Sequence, residues 1–423
     1  MKHNFEFRRL PTLARCVALS LVVFSLVPLA QAQKAQETAS DDNSPSQSPS
    51  NTLKIGVIGP FSGHSAGFGQ PMANGVQLAV NEINAVGGYF GQPLEIVLKD
   101  DQSDAALGLK FSQELIDEKV LATIGFCNTG VASQSLELYQ SNQIPLIISC
   151  ASGSRLTTTY PAAESYIFRV AATDSVQSTF IVQDILARGW DKVAIFADTS
   201  SYGEGGLKDV ENALAEAKQK PVYVARFPLG VKSLSAELTA ARAAGANVIF
   251  SYSLGGENAV TALGRQAMGW KVPQVGPATM SVPSYIKAGK EAVDGSLTAQ
   301  SFIAEPSNQR RSAFLSAYSR LFKVDKIASP MVAAQSYDST YLLMYALLGI
   351  RDGKFTGPAI KAALENQRRT YYGVVATYEQ AFSKQEKDAI TSRMMVMGML
   401  KNGAVTFAYP EDATRNLFVQ RKK

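Results

Sequence analysis

KIGVIGPFSGHSAGFGQPMANGVQLAVNEINAVGGYFGQPLEIVLKDD, residues 54–101, describes a strand, a Gly-rich turn at the strand's C-terminal end, an amphipathic helix and a second strand. Met72, Val76, Ala79, Val80 and Ile83 share one face of that helix, and Gln77, Asn81 and Glu82 take the other. In open α/β sheets the turn after such a strand is where ligands sit. The glycines fit a turn whose backbone N–H groups face a ligand.

The same grammar runs outward through the chain. Strand-like runs at 54–59, 94–100, 121–126, 144–149, 192–198, 222–227 and 246–252 alternate with helix-length amphipathic segments. That alternation predicts an α/β fold with parallel sheets covered by helices on both faces. The strand–turn–helix opening recurs at 192–206, which predicts two similarly built lobes. Extended stretches near 168–173 and 299–305 are expected to cross between them. The expected division is 52–170 plus 302–368 for one lobe and 171–301 plus 369–423 for the other. A chain that crosses more than once makes a hinge, and hinged lobes close around ligands.

The N-terminus carries Lys2, Arg8, Arg9 and Arg15, then an apolar run from Val17 to Ala30 and the small-residue pattern Ala30-Gln31-Ala32. Residues 1–32 therefore read as a cleaved export signal, with an apolar core too short for a permanent anchor. Cys16 starts that core instead of ending it, unlike a lipid-bearing cysteine. Residues 33–51 are polar and Pro-containing and read as a disordered linker. Such a signal directs export from the cytoplasm. The remaining chain of about 370 residues suits two lobes better than one core.

The formal charge of +5 falls to about +2 once residues 1–32 are removed. No Lys/Arg cluster is interleaved with aromatics, so nucleic acid is a poor partner. The best later apolar stretch, Tyr341 to Ile350, reads as a buried helix face.

Gly63-His64-Ser65-Ala66-Gly67 matches the G-x-S-x-G nucleophile elbow in its strand–turn–helix setting, which makes a hydrolase the sharpest rival. A hydrolase of that type needs a histidine downstream of the serine, and the only other histidine is His3. One remaining histidine and two cysteines supply no common zinc set. Neither Gly289-Lys290 nor Gly353-Lys354 is followed by Ser or Thr, so there is no P-loop, and no G-x-G-x-x-G follows a strand. No catalytic residue, metal or cofactor is expected, and the chain reads as a binding protein.

The segments IGVIGPFSG (55–63), GVQLAVNEINAVGG (75–88), DDQSD (100–104), ATIGFCNTG (122–130), IPLIISCASG (144–153), IFRVAATDSVQ (167–177) and DTSSYGEGG (198–206) are carried in this order. In them the chain resembles the periplasmic solute-binding proteins of ABC importers, in particular the branched-chain amino acid (Leu/Ile/Val) binding group. The resemblance covers nearly all of the chain after residue 51. It implies a type I periplasmic-binding fold, in which two Rossmann-like lobes are joined by a multi-crossing hinge. It also implies capture of a small solute, an amino acid first, by a monomer that presents it to permease subunits in the inner membrane.

The resemblance assigns ligand contacts in the first lobe to Phe68, Asn128, Thr129, Ala151, Ser152 and Gly153. Hydroxyls and backbone N–H groups there would hold a carboxylate. From the second lobe, Tyr202 would close over the ligand with an aromatic ring and a polar tip. The family's acidic residue after Gly276-Pro277, which pairs with the ligand's ammonium group, is absent: Ala278-Thr279-Met280 stands there. Either Glu257 supplies the charge from a neighbouring loop, with Thr279 a neutral contact, or the ligand is an ammonium-free carboxylate, amide or aromatic acid. A ligand sensor for a membrane receptor is the remaining alternative. Cys127 and Cys150 each follow a strand, and export permits a disulfide between them. Two free thiols is the competing expectation, because some relatives pair the Cys127 position with a cysteine near Asp101 that is missing here.

Overall fold

Strand β1 (Leu53–Gly59) runs into helix α1 (Ala66–Ala85) and strand β2 (Leu94–Asp100), as the opening stretch dictates. The computed structural model describes residues 52–414. The expected signal at 1–32, the linker at 33–51 and the tail from 415 lie outside the described residues. Helix α2 (Ala105–Asp117), β3 (Thr123–Gly125), α3 (Thr129–Ser141), β4 (Leu146–Ile148) and β5 (Ile167–Arg169) complete a five-stranded parallel sheet of order β2-β1-β3-β4-β5.

Alternation along the strands separates its two faces. Ile55, Val57, Ile124, Ile147 and Phe168 pack with α1. Ile58, Leu146, Ile148 and Ile167 turn the other way, onto Leu115 of α2 and Val131, Leu136 and Tyr139 of α3. A sheet buried on both sides reads as continuous apolar runs, which is why these strands were legible.

The chain leaves this sheet after Arg169. Helix α4 (Asp174–Ala187), β6 (Val193–Asp198), α5 (Ser201–Glu216), β7 (Tyr223–Phe227), α6 (Ser235–Ala243), β8 (Val248–Tyr252), α7 (Gly255–Ala267), β9 (Gln274–Gly276), α8 (Pro283–Gly289) and β10 (Leu297–Gln300) build the second lobe. After β10 the chain returns to the first lobe as α9 (Gln309–Phe322), α10 (Pro330–Gly349) and α11 (Gly357–Glu365). Helix α10 lies along α1 at a glycine: a Cβ on Gly75 would stand 2.2 Å from the Ala333 carbonyl oxygen.

The stretch 369–390, expected with the second lobe, makes its contacts to the first. Strands β11 (Tyr371–Tyr372) and β12 (Thr377–Tyr378) form a hairpin over α10. The fully buried Asp338 of α10 accepts from the backbone N–H groups of Val374 and Val375 (2.9 Å each) and from the Tyr371 and Tyr378 hydroxyls (2.8 and 3.2 Å). A buried carboxylate with four donors from one hairpin holds it in place. Backbone bonds from Arg169 N to the Lys387 carbonyl (2.9 Å) and from Ala389 N to the Arg169 carbonyl (2.8 Å) then lay a third crossing beside the first.

Strands β13 (Val396–Lys401) and β14 (Ala404–Phe407) finish the second sheet, of order β14-β13-β10-β9-β8-β6-β7. The sheet ends in an antiparallel edge: β13 pairs antiparallel with β10, and β14 with β13, because the chain re-enters as a hairpin. In both sheets the strand order reverses beside the first strand of the lobe's opening motif, between β1 and β3 and between β6 and β8. Ligands bind at such switch points, outside the carboxyl ends of the strands.

Candidate functional site

The turns at those strand ends meet. After β1 comes Phe68, after β3 Asn128 and Thr129, after β4 Ser152, after β5 Ala171 and Ala172, after β6 Tyr202, after β8 Leu254, and after β9 Ala278 and Thr279. Together with Met331, Val332 and Gln335 of α10 they wall a cavity of about 50 Å³ drawn from both lobes. That is room for only a few water molecules.

On the first lobe's side, Asn128 occupies the N-cap position of α3 but does not cap it. Its Nδ2 donates to Ser65 Oγ at 3.1 Å while its Oδ1 accepts from no first-turn N–H, so α3 starts without a side-chain cap beside the cavity. Thr129 Oγ1, Asn128 Oδ1 and Gln335 Oε1 are buried at this wall without a hydrogen-bond partner. Cys127 and Cys150 are joined as a disulfide, with Cα atoms 4.6 Å apart, and form part of the same wall. The bridge ties the turn that carries Thr129 to the turn that carries Ser152.

The second lobe contributes Tyr202 from the first turn of α5. Its N-cap, Ser200, accepts from Gly203 N at 3.3 Å and is itself held by Asp198 Oδ1 at 2.8 Å. The Tyr202 ring packs on Tyr252 with centroids 5.1 Å apart, and its hydroxyl lies 3.4 Å from Thr279 Oγ1. Asn258 Nδ2 also donates to Thr279, at 3.3 Å. Gln177 of α4 accepts from Ala278 N at 3.1 Å and donates to the Ala172 carbonyl at 3.2 Å, tying the turn after β9 to the first crossing segment.

Sequence reasoning passed over Asp174, the first residue of α4. Its backbone N–H donates to the Ser152 carbonyl at 2.8 Å, its side chain is 0 % exposed, and neither carboxylate oxygen has a hydrogen-bond partner. Burial pushes its pKa up to about 6, although the Tyr252 and Ser152 hydroxyls beside it act the other way. The Tyr252 hydroxyl is also unpartnered. Asp174 sits in a quoted motif, IFRVAATDSVQ, but an Asp at a helix start reads as an ordinary first-turn acid. Only its burial sets it apart.

The predicted residues divide among three places. Phe68, Asn128, Thr129, Ser152, Tyr202 and Thr279 line the cavity. Ala151 and Gly153 stand behind it: Ala151 N donates to the Phe126 carbonyl at 2.8 Å, and a Cβ on Gly153 would lie 2.3 Å from Thr129 Cγ2. The Gly153 carbonyl accepts from Arg169 Nη1 at 2.7 Å. Glu257 faces an adjoining chamber of about 490 Å³, separated from the cavity by Phe68 and Leu254.

His64 and Ser65 line that chamber too. Among the described residues no group of three or more His, Cys, Asp or Glu is placed to hold a metal ion. No described helix is long and apolar enough to cross a membrane.

Residues 52–404 match the family model described as periplasmic binding protein. Over 200 residues the chain is 29% identical to Leu/Ile/Val-binding protein homolog 2 of Brucella abortus, an alignment covering 47% of this chain and 53% of the relative. The chain thus spans about half the length of the first curated relatives it matches. The branched-chain amino acid transporter substrate binding protein LivJ of Streptococcus pneumoniae, solved in complex with isoleucine, superposes with a TM-score of 0.73 at 25% identity, over 84% of this chain and 97% of that one. A solute binding protein of an ABC transporter from Rhodopseudomonas palustris, in complex with 3,4-dihydroxybenzoic acid, gives 0.72 at 21% identity, over 84% and 95%.

Proposed function

The chain belongs to the periplasmic binding protein family, and from that premise we propose that it captures an amino acid between its lobes and delivers it to an ABC importer of the inner membrane. The observation that carries this reading is the gathering of buried, partnerless polar atoms around one cavity walled by both lobes. Buried polar groups in native proteins are almost always paired, so such a gathering marks a place where a ligand completes the bonding.

The roles follow from chemistry. The α-carboxylate goes to the Thr129 and Ser152 hydroxyls and the uncapped first turn of α3, where hydroxyl donors and the positive helix end both favour an anion. The α-ammonium goes toward Asp174, which takes the part that Ala278-Thr279-Met280 leaves vacant. Tyr202 and Thr279 close from the second lobe, while Phe68, Leu254, Met331 and Val332 give the apolar walls. Solute docks on the first lobe, the second swings in, and the permease recognises the closed form. The protein is read as non-catalytic and as exported to the periplasm by the signal at 1–32.

A second reading, an ammonium-free aromatic acid, is favoured by the missing acid after Gly276-Pro277 and by the largely apolar wall. The two readings part at Asp174, which such an acid would not need. A sensor would bind in the same way and differ only in the membrane partner that retains the liganded form.

The test is to denature purified protein and identify released small molecules by mass spectrometry, then to run a thermal-shift panel of amino acids, amides and aromatic acids. A specific ligand at a hundredfold excess over Kd stabilises by about 3 kcal/mol, which such a panel resolves. Release or stabilisation by an amino acid supports the reading. Response to ammonium-free acids alone sinks it in favour of the second. Hydrolysis lost in Ser65→Ala would revive the enzyme.

A further inference from the structure

The cavity is the inner of two adjoining compartments. Phe68 of α1 and Leu254 at the start of α7 wall both the inner space of about 50 Å³ and the outer chamber of about 490 Å³. The inner space has no room for a head group together with a long side chain. Whatever extends from the head group must pass between these two residues.

Charge along this path is one-sided. The outer chamber is lined by one carboxylate, Glu257, and by no Lys or Arg; His64 is its other titratable side chain. Glu257 lies in the first turn of α7, where Oε1 accepts from Gly230 N at 2.8 Å. That bond fixes the carboxylate at the chamber wall and leaves Oε2 without a hydrogen bond among the described residues.

The inner cavity likewise has no Lys or Arg in its wall, and Asp174 stands just behind it. Arg169 is committed elsewhere, to Asp388 Oδ1 (2.6 Å), Thr157 Oγ1 (2.7 Å) and the Gly153 carbonyl (2.7 Å). One carboxylate buried beside the cavity-lining Ser152 and a second, Glu257, faced by no lining Lys or Arg, suit a solute that brings two positive groups to one negative.

We propose that the solute is a cationic α-amino acid, held by its α-carboxylate and α-ammonium in the inner cavity and by a side-chain ammonium or guanidinium at Glu257 in the outer chamber. This rests on the amino acid reading of the site and adds the side-chain class and its specificity residue. Glu257 thus serves as a counter-charge, but for the far end of the ligand.

Isothermal titration of the purified protein at low ionic strength, with lysine, arginine, leucine and norleucine, tests it. Norleucine carries lysine's side chain without the terminal nitrogen. The wild type should bind lysine or arginine about fivefold or more tighter than norleucine, as for a partly exposed ion pair, and the preference should shrink with added salt. Glu257→Gln keeps an oxygen for the Gly230 N–H, so it should erase the preference while norleucine affinity stays within about twofold. Norleucine binding by the variant also reports that its site is intact.

Leucine or norleucine binding as tightly as lysine and arginine to the wild type, or a preference that survives Glu257→Gln, overturns this inference and leaves the amino acid reading standing. If no α-amino acid binds the wild type, that reading falls, and this inference with it.

Discussion

Asp174 keeps both carboxylate oxygens unpartnered at 0 % exposure, and burial lifts its pKa to about 6 from an ordinary value of 3.8. Because the folded state holds this proton more tightly than the unfolded chain, the contribution to stability is lost as pH rises from about 4 to about 6 and stays lost above. At pH 8 the ligand-free protein therefore carries a cost of up to about 3 kcal/mol at this residue. Asp174→Asn removes that cost. The ligand-free variant should melt above the ligand-free wild type at pH 8, with the gap closing below about pH 4, while its response to amino acids disappears. Differential scanning calorimetry with and without ligand checks this. A variant that melts lower at pH 8 and still binds would show that Asp174 is structural.

Tyr202 belongs to the same scale. Its ring lies on Tyr252 and its hydroxyl near Thr279, so Tyr202→Ala should weaken ligand binding about tenfold by titration calorimetry, with far-UV circular dichroism unchanged. Thr129, Ser152 and Tyr202 could be found in the sequence because the strand-end segments that carry them resemble the family's motifs. Asp174 could not, since what distinguishes it is the complete burial of a first-turn acid.

Between elements, Arg169 is the joint of the hinge. At the end of β5 and fully buried, it pairs with Asp388 of the third crossing and holds the carbonyl of Gly153, beside the cavity-lining Ser152. Arg169→Leu should lower stability by about 3 kcal/mol in urea unfolding, because Asp388 and the Gly153 carbonyl lose their shared donor. It should also weaken binding, since the Ser152 turn loses its support. The contact of α1 with α10 makes a second prediction. Gly75→Ala places a Cβ 2.2 Å from the Ala333 carbonyl oxygen and should cost about 2 kcal/mol in the same assay. Long apolar strands and helices with a one-sided stripe were legible at this scale. The hairpin of β11 and β12 was not, because strands of two residues carry no period and are held by Asp338, more than thirty positions upstream.

Over the whole molecule, the disulfide between Cys127 and Cys150 closes a loop with a sequence separation of 23. A bridge of that span stabilises by about 3 kcal/mol, so reduction should lower the melting temperature. The chain without residues 1–32, denatured without reductant, should show no free thiol and, after reduction, two. Two thiols before reduction would mean that no bridge forms. The chain passes between lobes after Arg169, after β10 and again after Ala389, so small-angle scattering should show the radius of gyration fall when ligand is added.

The sequence by itself determined the alternating α/β plan, the two lobes with their matching openings, and the strand-end turns that wall the cavity. These follow from local periodicity and turn chemistry, which act over a few residues at a time. Only the tertiary structure decided which lobe the 369–390 stretch covers, that Glu257 faces an outer chamber, and that Asp174 is fully buried next to the cavity-lining Ser152. Each of these depends on burial between segments far apart in the chain, and burial is a property of the packed assembly that no local pattern encodes.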